Sequence, residues 1–271
     1  MKPQAFDYHR ADDLADACQK MTAGEVRPIA GGQSLGPMLN LRLARPDALL
    51  DVAILRELRG CQRITGGVLI GAAVTHAEIE DGLVPDNTGG ILPRIARGIA
   101  YRAVRSRGTI GGSLAHADPA ADWITTLTAL GAQVILQRPS SRGSARRRMY
   151  LDDFVTGAMQ TALSPDELLI AVFVPDVAAD SRFGYFKLCR KTGELAHAMA
   201  AVFCAATGDG QRVVFGALPG APLLLAGGDA LDQASWRGAL AERYPDMEEA
   251  DITVRLHVMN KALKRSQTHE Q

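Results

Sequence analysis

The stretch Thr109-Ile-Gly-Gly-Ser-Leu-Ala-His-Ala-Asp-Pro-Ala-Ala-Asp-Trp123 constrains this chain more than any other. Its adjacent glycines, Gly111 and Gly112, permit a sharp turn and let bare backbone N–H groups approach a ligand. Pro119 suits the first turn of a helix, where its missing N–H costs nothing. Asp118 and Asp122, four apart, would share one side of that helix start. A second glycine pair lies in Pro28-Ile-Ala-Gly-Gly-Gln-Ser-Leu35, directly after a short apolar run. Taken singly, either pair reads as a tight turn. Each, however, is followed by a hydroxyl residue, Ser34 or Ser113, able to hydrogen-bond a phosphate oxygen. Together they predict a ligand carrying two phosphates. Neither matches G-x-G-x-x-G or G-x-x-x-x-G-K-[ST], which argues against a Rossmann or P-loop site.

The rest of the chain has room for a large core around such turns, with 271 residues of which 47% are hydrophobic. Lys+Arg and Asp+Glu balance at 30 each, so net charge offers nothing to nucleic acid or an anionic membrane. Cys18, Cys61, Cys189 and Cys204 are scattered without a C-x-x-C. No metal or iron–sulfur site and no disulfide framework is expected within the chain, which favours a reducing compartment. No apolar leader and no run approaching the ~18 apolar residues of a membrane span is visible. The expectation is a soluble, cytoplasmic protein.

Read in order, residues 11–21 place Leu14, Ala17, Cys18 and Met21 at helical spacing, and 26–30 and 48–52 read as strands. Residues 37–43 fit either a short helix or an extended edge. Cys61 to Thr65 and Val68 to Val74 flank Gly66-Gly67 as a hairpin, and Thr75-x-x-Glu78 opens a helix with a capping box. Helices follow at 89–101 and 119–130, then strands at 133–137 and 168–174. The five arginines of residues 138–148 lack an aromatic for base stacking and read as a solvated loop or a partner contact. Beyond a boundary near 177–181, strands at 183–188, 198–206 and 213–218 precede helices at 235–243 and 250–264, with Gly208-Asp-Gly-Gln211 turning the last two strands. The fold class is α+β, with a three-stranded antiparallel sheet and helices at the C-terminal end.

Ala30-Gly-Gly-Gln-Ser34, Arg105-x-Arg-Gly-Thr-Ile-Gly-Gly-Ser113 with its continuation to Asp122, Asp166-Glu-Leu-Leu-Ile170 and Tyr185-Phe-Lys-Leu-x-Arg-Lys-Thr-Gly-Glu194 occur here in one order. In these four segments the chain closely resembles the FAD-binding medium subunit of the molybdenum hydroxylases, the family of xanthine and carbon monoxide dehydrogenases. The resemblance covers nearly the whole chain. It implies a two-lobed FAD fold of the PCMH or vanillyl-alcohol-oxidase type, with lobes at about 1–57 and 58–176 and a C-terminal α+β domain at 177–271. FAD would lie extended between the lobes. No catalytic residue is expected in this chain. The activity implied is electron relay: from [2Fe–2S] clusters of a small partner subunit, themselves supplied by a large molybdenum–pterin subunit, to NAD, dioxygen or a quinone. Assembly as a dimer of heterotrimers would follow.

The resemblance also implies residue roles. Ala30 and the backbone N–H groups of Gly31, Gly32, Gln33, Ser34 and Leu35, with those of Gly111, Gly112 and Ser113, would hold the pyrophosphate. Thr109 and Ser113 would add side-chain donors. Asp122 would accept from ribityl hydroxyls, with Asp118 near by and His116 ordering the loop or touching the cofactor. Ile99 and Ala100 would line the adenine side, Ile170 would pack near the flavin ring, and Lys187 would approach it. Tyr185 either covers the ring or is a core aromatic. His76, after a capping threonine, reads as structural. Three departures stand out: the cysteine insertion that gives some relatives a four-iron cluster is missing, Gln33 replaces a frequent histidine, and Ser113 replaces a frequent asparagine. The alternatives are a self-sufficient flavoenzyme of the same fold, needing a base such as His197 or His257, and a scaffold that no longer binds FAD.

Overall fold

In this computed structural model, described for residues 2–141, 143–206 and 210–268, the first element is a small parallel sheet. Strands β1 (Asp7–Arg10), β2 (Val26–Ile29) and β3 (Ala48–Asp51) lie in the order β1-β3-β2. Parallel neighbours need crossovers, supplied here by the helices Leu14–Lys20 and Leu35–Asn40. Asp13 starts the first by accepting the Asp16 N–H. The ambiguous 37–43 segment is thus mainly helical. Strand β1 has no counterpart in the periodicity, because all four of its residues are exposed and none alternates with an apolar neighbour.

The second sheet has the order β4-β5-β10-β6-β7, all antiparallel, with β4 (Cys61–Ile64), β5 (Gly67–Gly71), β6 (Gln133–Ser140), β7 (Gly143–Tyr150) and β10 (Leu168–Pro175). Between β7 and β10, β8 (Val155–Gly157) and β9 (Gln160–Thr161) form a small ribbon. The arginine-rich stretch is therefore a hairpin and not a loop. Its heads are tied down: Arg146 donates to Gln137 Oε1 at 2.7 Å, and the Arg148 guanidinium sits 3.9 Å over the Phe173 ring. Arg147 grips Glu167 with two bonds and also donates to the Ala162 carbonyl. A strand whose outward residues are mostly cationic shows no hydrophobic alternation, so the period-2 signal is lost.

The helix expected at 119–130 spans Asp122–Ala129, and every one of its residues is buried. Pro119 stands before it in a turn, so Asp118 is not on the helix; its carboxylate instead accepts the Ala120 N–H. This helix lies between the second sheet and the third. The third sheet is a meander of β11 (Arg182–Leu188), β12 (Ala198–Cys204), β13 (Arg212–Gly216) and β14 (Leu223–Ala226). It has four strands, not three, because Leu223–Ala226 pairs as an edge that the surrounding Pro219, Gly220 and Pro222 disguise as loop. Residues 208 and 209 of the expected turn lie outside the described residues.

Strand β12 is buried on both faces. Ala198, Ala200, Val202 and Cys204 face the C-terminal helices Gln233–Arg243 and Glu249–Gln267, where Trp236, Met259 and Ala262 complete a core. Ala201 and Phe203 join the core of the second sheet instead. Contact is close on both sides: a Cβ on Gly184 would fall 1.9 Å from the Ala262 carbonyl oxygen, and one on Gly216 would fall 1.9 Å from Thr125 Oγ1. No described helix is long and apolar enough to cross a membrane.

Candidate cofactor site

A cleft of ≈ 960 Å³ opens where loops from all three sheets converge. That is the upper end of the range for small-molecule sites, which matches a dinucleotide-sized ligand. The first sheet contributes the turn after β2, where Ala30, Gly31, Gly32, Gln33, Ser34 and Leu35 all line the cleft. Gly32 has φ +67°, a left-handed value that glycine adopts without cost. Gly31 is needed for a different reason: a Cβ there would fall 2.1 Å from the Arg107 carbonyl oxygen. The two ligand-facing loops touch backbone to backbone at this point. Among the described residues, no backbone partner accepts the N–H groups of Gly31 through Leu35, although the Gly32 and Ser34 carbonyls accept bonds from Gly36 and Met38.

The second glycine pair behaves differently. Gly111 and Gly112 lie inside the helix Ile110–His116, not in a turn, and Thr109 caps its start. The Gly111 N–H donates to the Ala72 carbonyl, Gly112 to Thr109 Oγ1, and Ser113 to the Thr109 carbonyl. The three donors expected to face a pyrophosphate are thus engaged within the chain. Gly111 is required for packing, since a Cβ would fall 2.4 Å from that of Ala72. What this helix offers the cleft is hydroxyls. Thr109 and Ser113 both line it, as does His116, whose imidazole burial drives below its ordinary pKa.

Asp122 and Asp118 also border the cleft. Asp122 is buried, and its Oδ1 accepts from Lys187 Nζ at 2.8 Å and from the Tyr185 hydroxyl at 2.8 Å. Oδ2 receives no donor from the described residues. Burial and the adjacent carboxylate push the Tyr185 phenol well above its usual range, so it remains a neutral donor. Lys187 and Tyr185 themselves stand behind Asp122 and do not line the cleft. Tyr185 is accordingly not a cover for a bound ring. Ile170 does not line the cleft: it is buried in a core with Leu14, Leu50 and Leu58, to which Leu168 also belongs, while Leu168 and Leu169 reach the cleft. The register of β10 against β6 shifts between Leu169 and Ala171, an irregularity that re-aims the side chain between them.

Ile99 and Ala100 line the remaining wall. Ala100 sits at φ +43°, a left-handed conformation that costs an L-residue ~1 kcal/mol. Sequence reasoning missed several lining residues, including Arg27, Met159, Leu163, Gly193 and Leu195. Only Gly193 had a visible signal, as the glycine of Lys191-Thr-Gly-Glu194. His76 reaches the cleft edge but is structural: it is buried, and its Nδ1 accepts the Trp123 indole N–H at 3.0 Å. Burial lowers its pKa to about 4, assisted by the charge of Arg105. No three His, Cys, Asp or Glu side chains stand together to hold a metal ion among the described residues.

Residues 4–177 match the family described as the FAD binding domain in molybdopterin dehydrogenase. Over 214 residues the chain is 37% identical to the carbon monoxide dehydrogenase medium chain of Afipia carboxidovorans, covering 77% of this chain and 72% of that one. It is 35% identical over 203 residues to the nicotine 6-hydroxylase medium subunit of Paenarthrobacter nicotinovorans, with 74% and 70% covered. Among solved structures, a chain of carbon monoxide dehydrogenase from Hydrogenophaga pseudoflava superposes with a TM-score of 0.86 at 28% identity, covering 98% of this chain and 99% of that one. The fold is the PCMH-type FAD-binding fold, and the chain is an oxidoreductase flavoprotein subunit. It belongs to the FAD-binding medium subunits of the molybdenum hydroxylase family.

Proposed function

We propose that the chain holds FAD extended along the cleft and relays electrons from an iron–sulfur partner subunit to an external acceptor. The observation that carries this reading is the row of N–H groups at Gly31–Leu35, without a backbone acceptor among the described residues, lining one cleft with Thr109 and Ser113. Successive backbone N–H groups in a turn form an anion-binding concavity, which fits a pyrophosphate. Asp122, fixed on Oδ1 and open on Oδ2, fits a carboxylate that accepts from sugar-like hydroxyls. Ile99 and Ala100 would flank the adenine. FAD supplies the ability to exchange electrons singly or in pairs, so it links one-electron clusters to a two-electron acceptor.

In this reading the residues of the chain bind, orient and exclude water, and none acts as a base. Lys187 neutralises Asp122 from behind and would place positive charge in the flavin's neighbourhood. The large molybdenum–pterin subunit would oxidise substrate and the small [2Fe–2S] subunit would pass electrons on, in a cytoplasmic dimer of heterotrimers. The lobes would be 1–57 and 58–176, with 177–271 contributing Gly193, Glu194 and Leu195 to the cleft. The self-sufficient flavoenzyme is disfavoured by one observation: neither His197 nor His257 borders the cleft.

The test is an absorption spectrum of the purified chain with FAD, followed by NADH and then dithionite. A flavin spectrum bleached by NADH supports relay to NAD. Bleaching by dithionite alone supports relay to dioxygen or a quinone. Absence of bound flavin, even with the partner subunits co-expressed, would sink the assignment.

A further inference from the structure

We infer that Arg105 is a positioning residue for the cofactor cleft, holding the Gly98–Ala100 turn in its left-handed shape from behind the wall. This rests on the FAD reading above. Arg105 is buried, and its guanidinium makes four hydrogen bonds. Nε and Nη2 grip the two carboxylate oxygens of Glu80 at 2.7 and 3.0 Å. Nη1 donates to two successive carbonyls, Ile99 at 2.9 Å and Ala100 at 3.0 Å. The next carbonyl upstream, Gly98, accepts from Lys187 Nζ at 2.9 Å.

Three consecutive carbonyls therefore converge on two cations just past the helix Ile91–Arg97. Cations satisfy the unpaired carbonyls at a helix C-terminus, but here they do more than cap. Ile99 and Ala100 line the cleft, and Ala100 carries positive φ. A strained residue persists only where its surroundings over-determine it. The opposite side is closed as well: a Cβ on Gly193 would fall 2.7 Å from the Ala100 carbonyl oxygen. Lys187 links the same turn to Asp122. The bonds run from Glu80 through Arg105 to the turn, and on through Lys187 to Asp122, so two cleft walls are set by one network. Lysine at position 105 would keep the charge but has no planar fork to serve Glu80 and two carbonyls together.

The test uses the full chain as wild type, R105Q, R105K, A100G and R105Q/A100G. Two quantities are read: amide exchange of peptides covering 98–101 without ligand, and FAD affinity by quenching of flavin fluorescence. R105Q and R105K are expected to exchange faster over 98–101 and to bind FAD about tenfold more weakly. A100G alone is the reference for the double variant: glycine accepts the left-handed turn without strain, and any affinity lost with the methyl that lines the cleft is read from it. In the R105Q background A100G should recover part of the lost affinity, which a merely destabilising role for Arg105 would not allow. If R105Q does not fold, R105K decides by the same readings. Wild-type affinity in either Arg105 variant, or loss with no recovery by A100G, overturns the inference. Failure of the wild type itself to bind FAD overturns the FAD reading and the inference with it, a result distinct from all of these.

Discussion

Replacing Gly31 by alanine tests the contact that joins the two ligand-facing loops. The added methyl would sit 2.1 Å from the Arg107 carbonyl oxygen and 2.8 Å from the Gly108 Cα. A carbon and a carbonyl oxygen approach no closer than about 3.3 Å, so the loops must part by roughly 1.2 Å. Both obstacles are backbone, so no rotamer change relieves them. The cost falls in the overpacking range, about 1–3 kcal/mol, or a midpoint lowered by about 2–4 °C per kcal/mol in a chain of this size. Separation also shifts the free N–H groups of Gly31–Leu35 away from Thr109 and Ser113, so FAD affinity should fall by about tenfold or more. Gly36→Ala is the control, since a Cβ there meets nothing within 4 Å and the residue starts a helix. It should leave binding intact and stabilise by about 0.5–1 kcal/mol. Thermal melts and flavin titrations of both variants provide the readings. A Gly31→Ala chain that melts and binds FAD like the wild type would refute the steric argument.

Three further predictions follow from buried groups. Lys187→Met leaves Asp122 with the Tyr185 hydroxyl as its one side-chain donor among the described residues; a broken buried pair costs about 3–5 kcal/mol, and Asp122→Asn in the same chain should restore part of it, as a urea-denaturation double-mutant cycle would show. His76 titrates near pH 4 when folded and near 6.5 when unfolded, so the unfolded chain takes up the extra proton between these values. Its contribution, about 3 kcal/mol from the shift, is full above pH 6.5 and lost as pH falls to 4; urea midpoints across that window should flatten in His76→Asn, and unchanged slopes would disprove it. Thr125 Oγ1 is buried without a hydrogen-bond partner among the described residues, so Thr125→Val should be neutral or stabilise by about 1 kcal/mol, and a clear loss in melting temperature would contradict this.

Local chemistry made much of the architecture legible. The Thr75–Glu78 capping box, the Gly66-Gly67 hairpin and the apolar run of β10 depend on neighbours in sequence, and the structure contains all three. The helices expected at 89–101 and 119–130 were read too long because apolar residues continue past the hydrogen-bonded turns, as at Ile99 and Ala100, whereas those expected at 235–243 and 250–264 were read too short because their ends are polar. Elements without apolar periodicity were not legible: the exposed β1, the arginine-covered β7 and the proline-flanked β14 hold their strands through partners distant in sequence.

The sequence by itself marked two glycine pairs with their hydroxyl followers as parts of one ligand site, and the family resemblance added Asp122; all of them line one cleft. Only the tertiary structure decided how each is used. Two identical Gly-Gly dipeptides look alike in a string of letters. One has N–H groups with no backbone acceptor among the described residues; the other gives them to Ala72 and Thr109 and contributes close packing instead. In the same way, Lys187 was legible as a charge, but its place behind Asp122 and against the Gly98 carbonyl depends on the third sheet docking beside the Ile91–Arg97 helix. Hydrogen-bond partners 65 and 89 residues away are set by packing, which no local pattern encodes.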